Sequence, residues 1–160
     1  NKIMEYMALK KPIVQYTLKE GKFSAQEASL YAKNTDPIDF ANKIIELLDN
    51  YFEVIHAQDM DLFDKVFHVD CTLYGVKDNQ TVLRPYLAYR EAVANRQSPK
   101  ELGNPRKDEI LDFDQISENM AWAKVQLQQF GGVMQDYLNL VKLDGKWWII
   151  AKLYEQVGTY

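Results

Sequence analysis

The sequence predicts an α+β protein in which helices cover one face of a curved antiparallel sheet. Apolar residues recur at the helical spacing of about 3.6 residues up to position 105 and alternate with a period of two after it. Two dipeptides typical of two-residue hairpin turns, Gly131-Gly132 and Asp144-Gly145, separate the last three alternating segments. Helices that precede strands, instead of alternating with them, favour this class over a parallel α/β fold.

Residues 1–37 carry short, mixed patterns. NKIMEYMAL (1–9) has helical spacing, KPIVQYT (11–17) has the β-branched pattern of a strand, and SAQEASLYAK (24–33) suits a helical turn followed by a short strand. A lone parallel strand needs neighbours to be stable. We therefore expect this segment to pack on the rest of the chain or on another copy, or to stay loosely attached.

Three helices are predicted between residues 34 and 96. The first opens with a Thr-Asp cap and Pro37, and its apolar stripe crosses the whole segment to residue 58. The stripe consists of Phe40, Ile44, Leu47, Leu48, Tyr51, Phe52 and Ile55. The second, DMDLFDKVFHV, is capped by Asp59 or Asp61, and the third is PYLAYREAVANR at 85–96. Because the stripe keeps its phase, the first segment is expected to be a single helix.

The last strands should form two hairpins with a defined register. If both dipeptides are two-residue loops, the facing pairs are Leu143–Lys146, Leu140–Ile149, Leu138–Ala151, Asp136–Leu153, Phe130–Val133, Leu127–Asp136 and Val125–Leu138. For the strand DEILDFDQIS (108–117) the sequence leaves two alternatives, with either Asp112 and Asp114 or Leu111 and Phe113 pointing inward.

This register divides the sheet residues between two faces. The face expected to lie under the helices carries Ala121, Ala123, Val125, Leu127, Asp136, Leu138, Leu140, Trp147, Ile149, Ala151 and Leu153. The other face carries Trp122, Lys124, Gln126, Tyr137, Asn139, Val141, Trp148, Ile150, Lys152 and Tyr154. The second face is too apolar to be simply hydrated, so we expect it to be a dimer interface.

Composition excludes several classes of function. The chain has 160 residues, a net charge of -4 and a pI of about 5.2, which argues against nucleic-acid binding. The single cysteine, Cys71, excludes an intrachain disulfide and is expected to be a core residue. No apolar run is long enough for a membrane span and no secretion signal is visible, so the expected location is cytoplasmic. No metal-ligand or phosphate-loop motif occurs, and no cofactor is expected.

From about residue 38 onward the chain resembles the nuclear transport factor 2-like superfamily. The segments that carry the resemblance are NYFEVIHAQDMDLFDKVFHVDCTLYG, SPKELGNPRKDEIL and QDYLNLVKLDGKWWIIAKLYE. They are most similar to the group of putative lumazine-binding proteins, although the family's proline in the Phe-His-Pro-Asp step is Val69 here. The resemblance implies a cone-shaped fold with a ligand cavity between the helices and the concave sheet face. It implies no particular activity.

Residues 1–49 resemble a different family, the C-terminal tail of group 1 glycosyltransferases. The resemblance assigns Glu5 to the second glutamate of that family's Glu-x7-Glu motif, which contacts the ribose of the nucleotide sugar. The first glutamate is missing and Lys10 replaces a frequent glycine, so transferase activity is not expected from this chain. We expect two parts, a transferase-tail-like extension at 1–37, of natural or grafted origin, and a nuclear transport factor 2-like domain at 38–160.

Within the cavity that the cone-shaped fold implies, candidate residues are polar groups on inward positions. Asp136 leads, because the register surrounds it with leucines and an unpaired carboxyl there would suit acid–base chemistry; the alternative is a pair with a lysine or a backbone donor. His56 either lines the pocket or complements the dipole at the helix end. His68, two residues before Asp70, either transfers protons or ties down a turn.

Tyr74, Tyr86 and Tyr89 bring aromatic area near the expected mouth of the cavity. We expect Tyr74 and Tyr86, together with Asp136 and His56, to contact the ligand. The most favoured function is the binding of a small, partly aromatic organic molecule by a homodimer that associates through the convex sheet face. A cofactor-free lyase or isomerase that uses Asp136 and a histidine is the alternative. A dimerisation module fused to a transferase fragment is a third.

Overall fold

The structure is a computed structural model that describes residues 14–16, 30–32 and 37–160. The chain divides into two compact units, residues 1–42 and 43–160. In the first, strands β1 (Val14–Tyr16) and β2 (Leu30–Ala32) pair in parallel, with Val14 opposite Leu30. The helix predicted at 1–9 and Glu5 lie outside the described residues, and the proposed boundary at 37/38 stays a prediction.

The first predicted helix is continuous. Helix α1 runs from Pro37 to Ala57, and its stripe from Ile44 to Ile55 is buried. Helix α2 is Met60–Val66, and the Asp59 carboxylate accepts a hydrogen bond from the Leu62 amide at 2.9 Å. Asp59, and not Asp61, is therefore the cap.

Helix α3, Tyr86–Ala94, begins directly after Pro85 and ends two residues before the predicted limit. None of the helices in the described part of the chain is long and apolar enough to cross a membrane.

Six strands within residues 67–159 form one sheet in the order β4-β3-β8-β7-β6-β5. Their bounds are β3 Phe67–Lys77, β4 Gln80–Pro85, β5 Asp108–Ser117, β6 Met120–Gln129, β7 Gly132–Leu143 and β8 Lys146–Thr159. The sheet is mixed and not purely antiparallel as predicted, because β3 pairs in parallel with β8. The first and last strands of the domain can meet this way since helices and hairpins separate them in sequence.

One hairpin turn is as predicted and the other is not. Leu143 pairs with Lys146 across Asp144-Gly145. The second turn is formed by Phe130-Gly131, with φ of 51° and 78°, and not by Gly131-Gly132. Gly132 lies in the strand, where an added Cβ would come within 3.0 Å of the Gln156 side chain.

This wrong turn shifts the predicted β6–β7 register by two residues. Asp136 faces Val125 and not Leu127, and Leu138 faces Ala123. Because the side-chain period of a strand is two, the shift leaves every residue of β6 and β7 on its predicted face.

A bulge in β8 has a larger effect. Leu140 pairs with Ile149 but Asn139 pairs with Ala151, so Ile150 has no opposite residue. Beyond it the faces are exchanged relative to the prediction. Lys152 pairs with Leu138 and is buried, and Leu153 is 50% exposed.

The predicted pairs Leu138–Ala151 and Asp136–Leu153 are therefore wrong. Tyr154, predicted on the outer face, pairs with Asp136 on the helix-covered face. For β5 neither predicted alternative is right in full: Phe113 pairs with the buried Ala123 and points inward, but a bulge at Leu111 leaves that side chain 37% exposed.

Candidate functional site

Three buried polar side chains meet beneath α1 on the concave face of the sheet. The Tyr51 hydroxyl donates a hydrogen bond to Oδ2 of Asp136 at 2.5 Å. The Lys152 ammonium lies 2.6 Å from the same hydroxyl and 3.0 Å from Asp136 Oδ2. Tyr51 and Asp136 are fully buried and Lys152 is 3% exposed. We call these residues the Tyr51–Asp136–Lys152 cluster.

Each member reaches this point for a separate reason. Tyr51 lies on the apolar stripe of α1, so its ring packs into the core and its hydroxyl extends beyond it. Asp136 alternates with Leu138 and Leu140 on the inward face of β7. Lys152 points inward only because the bulge at Ile150 reverses the faces of β8.

The electrostatics of the cluster favour the protonated forms of Tyr51 and Lys152. Burial and the nearby Asp136 charge raise the pKa of Tyr51 well above its usual value. Burial is the largest single effect on Lys152 and disfavours its ammonium form, but the attractions of Asp136 and Tyr89 and the hydrogen bond to Asp136 together outweigh it, and the pKa of Lys152 is raised. At neutral pH the phenol therefore keeps its proton and the ammonium keeps its charge.

One oxygen of the cluster has no partner. Asp136 Oδ1 is buried and accepts no hydrogen bond in the part of the chain that the structure describes. Buried polar atoms are nearly always hydrogen-bonded, because desolvation without a partner costs about 1–3 kcal/mol. Since Tyr51 and Lys152 fix the other oxygen, Oδ1 is held in place as a free acceptor.

Aromatic rings surround the ammonium group. Lys152 Nζ lies 5.1 Å from the ring centre of Tyr51, 5.9 Å from that of Tyr89 and 5.8 Å from that of Tyr154. Burial raises the pKa of Tyr89 as well, so this phenol is also neutral. All three rings lie within cation–π distance of the ammonium group and help to stabilise its charge in the core.

A second cationic group lies nearby, after α3. The Arg96 guanidinium stacks over Phe130, 4.8 Å from the ring centre. Phe130, the turn residue that the sequence did not predict, therefore has a packing partner. With the Gln58 amide oriented to satisfy both of its groups, its oxygen accepts from Arg96 Nε at 2.9 Å. The positive charge of Arg96 acts to lower the pKa of Lys152, against the net rise.

Comparison with known proteins identifies the family of the chain. Residues 39–155 match the family described as Putative lumazine-binding. The chain belongs to the putative lumazine-binding family. No curated protein sequence matches it.

Solved structures give the same fold. A nuclear transport factor 2-like protein of unknown function from Shewanella baltica is 25% identical with a TM-score of 0.69, over 79% of this chain and 100% of its own. One from Methylobacillus flagellatus is 22% identical with a TM-score of 0.66, over 77% and 95%. A ketosteroid isomerase-like protein from Erwinia carotovora atroseptica is 13% identical with a TM-score of 0.56, over 73% and 95%. The cone-shaped fold inferred from the sequence is thus confirmed.

The structure brings only one of the predicted site residues into the cluster, Asp136. The His56 ring makes no hydrogen bond to the cluster within the described residues, and the His56 carbonyl accepts from the Lys100 amide. His68 is on the opposite face, where its ring packs edge-on against Trp148 and its Nδ1 accepts a hydrogen bond from the Asp70 amide at 3.2 Å.

The two predicted ligand tyrosines lie elsewhere. Tyr86 donates to Asp64 of α2 at 2.6 Å and packs on Phe63. Tyr74 pairs with Leu153 on the outer face. There it helps to line a groove of about 600 Å³ whose apolar members include Val76, Tyr137 and Leu153.

Sequence reasoning missed three residues of the site: Tyr51, Lys152 and Arg96. Tyr51 stood on the predicted core stripe, and its polar tip opposite an inward aspartate could have indicated the contact. The inward position of Lys152 could not be predicted, because no sequence pattern marks the bulge that turns it inward. Among the described residues no three His, Cys, Asp or Glu side chains converge as metal ligands would.

Proposed function

We propose that this protein binds a small, partly aromatic organic molecule on the concave face of the sheet, where the ligand donates a hydrogen bond to Asp136. The observation that carries the proposal is the buried, unpartnered Oδ1 atom of Asp136. A ligand N–H or O–H group would satisfy this oxygen, and the neighbouring tyrosine rings would stack on a flat ligand.

The cluster suits binding because it is organised before the ligand arrives. Tyr51 and Lys152 both contact Oδ2 of Asp136, so the carboxylate cannot rotate without losing two interactions. A fixed acceptor loses little conformational freedom on binding, which favours affinity for a ligand of the right shape.

A fragment screen by protein-observed NMR tests this function. We expect planar fragments with an N–H or O–H donor to perturb residues 51, 89 and 136, and Asp136→Asn to weaken their binding about tenfold. Asp70→Asn, which removes an exposed carboxylate, is the matched control and should leave affinity unchanged. Fragments that perturb only the outer-face groove would contradict the proposal.

A cofactor-free isomerase or lyase is the second candidate, and the same oxygen favours it. A buried carboxylate oxygen with no partner can accept a proton from a carbon next to a carbonyl group, while Lys152 stabilises the enolate oxygen. This version needs no histidine. Solvent deuterium exchange into cyclic ketones tests it, and exchange that persists unchanged in Asp136→Asn would exclude Asp136 as the base.

We also propose a homodimer through the outer sheet face. That face carries exposed apolar side chains on three adjacent strands, including Tyr74, Tyr137 and Leu153. A contiguous apolar surface of this kind is typical of an interface. Sedimentation velocity should show a dimer that Tyr137→Glu converts to a monomer, with Leu87→Glu on exposed α3 as control. A monomeric wild-type protein would contradict the interface.

A further inference from the structure

A cavity of about 350 Å³ lies between α1, α2 and the turn that joins β7 to β8. It shares no lining residue with the Tyr51–Asp136–Lys152 cluster or with the groove on the outer face. Its volume falls at the lower end of the range typical of small-molecule sites. We call it the hairpin-end cavity, because its wall on the sheet side is formed by Gly145, Lys146 and Trp147.

Helical spacing explains how the other two walls form. On α1 the lining residues run from Lys43 to Asn50 at the i, i+3, i+4 and i+7 positions, so they share one face of the helix. On α2 Lys65 follows Leu62 by three residues and again shares a face with it. Three separate elements therefore converge on the same space.

The lining of the cavity carries an excess of positive charge. Lys43, Lys65 and Lys146 each come from a different element, and Glu46 is the single carboxylate among the lining residues. Two positive charges are thus left uncompensated, although the whole chain has a net charge of -4. The excess is a property of this cavity and does not follow from the composition of the protein.

The cavity also has an apolar floor, formed by Leu47, Val66 and Trp147. All three side chains are buried, whereas the lysines at the rim are exposed. The half-buried Asn50 adds an amide group to the lining. Such a combination suits a ligand with an apolar body and a negatively charged head.

Two of the lysines have no carboxylate partner. Within the described residues, neither Lys65 nor Lys146 forms an ion pair with an aspartate or a glutamate. The Lys146 ammonium lies 3.5 Å from the ring centre of Trp148, which attracts the cation but does not neutralise it. Burial and the charge of Lys65 lower the pKa of Lys146. An anion in the cavity would offset both effects.

We propose that the hairpin-end cavity binds a phosphate monoester, whose phosphate interacts with Lys65 and Lys146 at the rim while its small apolar or aromatic body packs on the floor. A phosphate monoester carries a charge of about -1.5 to -2 at neutral pH, which matches the two uncompensated lysines better than the single charge of a carboxylate. Lysine binds phosphate as a point charge, so exposed and flexible ammonium groups are suitable partners. This site is independent of the function proposed for the concave face.

Isothermal titration of the full chain with phenyl phosphate, inorganic phosphate and phenol tests the proposal. Inorganic phosphate lacks the apolar body and phenol lacks the charge, so phenyl phosphate should bind at least about tenfold more tightly than either. Lys65→Gln and Lys146→Gln should each weaken phenyl phosphate about three- to tenfold. Lys77→Gln, which removes an exposed positive charge outside the cavity, is the matched control and should preserve the affinity.

Protein-observed NMR locates the bound probe. Phenyl phosphate should perturb the amides of residues 65 and 145–147 and the indole of Trp147. Perturbations confined to the concave face or to the outer-face groove would overturn the proposal, as would an absence of binding. Benzoate that binds as tightly as phenyl phosphate would overturn the preference for a dianion.

A double variant separates charge from other effects. Lys65→Gln/Lys146→Gln should abolish the preference for phenyl phosphate over phenol, whereas Lys65→Arg/Lys146→Arg keeps both charges and should retain it. Both lysines are exposed, so the chain is expected to stay folded in either case. An affinity for phenyl phosphate that the double glutamine variant leaves unchanged would show that these lysines do not bind it.

Discussion

Lys152 and Asp136 form a buried ion pair between neighbouring strands, with Nζ 3.0 Å from Oδ2 and side chains 4% and 1% exposed. Such a pair costs desolvation energy when it forms, and removal of one partner strands the other charge in the core. The Tyr51 hydroxyl donates a hydrogen bond to Asp136 and accepts one from Lys152, which ties α1 to the sheet. The predictions below test these contacts.

Loss of the ammonium should destabilise the fold strongly. Lys152→Met leaves the Asp136 carboxylate buried without its counter-charge, and we expect a loss of about 3–5 kcal/mol in the free energy of unfolding. Urea denaturation measures it, with Lys77→Met as an exposed control within about 0.5 kcal/mol of wild type. The double variant Lys152→Met/Asp136→Asn should cost less than the sum of the single changes. Additive losses would show that the two charges do not interact.

The Tyr51 hydroxyl should contribute more to the free energy of unfolding than the Tyr89 hydroxyl. Tyr51→Phe removes hydrogen bonds to Asp136 and Lys152, and we expect a loss of about 1–3 kcal/mol. Tyr89→Phe keeps the same ring volume, and the Tyr89 hydroxyl makes no hydrogen bond within the described residues, so its loss should be smaller. Thermal unfolding of the two variants measures the difference. Equal midpoints would contradict the cluster.

Stability should fall steeply in alkali. The folded-state pKa values of Tyr51, Tyr89 and Lys152 are all raised. Above about pH 10 the unfolded chain releases these protons while the folded chain keeps them, so the free energy of unfolding falls as pH rises toward the folded values. Each group contributes up to about 1.4 kcal/mol per pH unit.

Denaturation at several pH values between 9 and 12 gives the slope of the free energy of unfolding against pH. This slope measures the number of protons that the folded chain retains and the unfolded chain releases. Tyr51→Phe should lower that slope by about one proton. Leu87→Ala, a change at an exposed position of α3 that removes no titratable group, is the control and should leave the slope unchanged.

Gly75 should tolerate no side chain. A Cβ there would lie 2.8 Å from the ring of Tyr154, which crosses the strand on the concave face. We expect Gly75→Ala to cost about 1–3 kcal/mol, and Gly75→Ala/Tyr154→Ala to cost less than the sum of its parts. Gly158→Ala, whose nearest atom is 3.8 Å away, is the control in urea denaturation. If Gly75→Ala left the free energy of unfolding unchanged, Tyr154 would have to lie on the outer face.

Much of the fold could be predicted because helix and strand patterns repeat over many residues. The apolar stripe of α1 predicted the buried residues from Ile44 to Ile55, and the alternation in β7 predicted the inward position of Asp136. The β6–β7 register was missed because two glycines follow Phe130, and either of two dipeptides could form the turn. Contacts from Asn104 and Arg96 to Phe130 come from distant parts of the chain and favour the observed one.

The sequence by itself determined the class of fold, its helices, the inward position of Asp136 and the membership of the family, because each follows from local periodicity or extended similarity. Only the tertiary structure decided what Asp136 contacts. A single extra residue in β8 turned Lys152 inward and Leu153 outward, and packing of α1 brought Tyr51 to both. A bulge depends on how neighbouring strands and helices pack, and no alternation of residues within one strand encodes it.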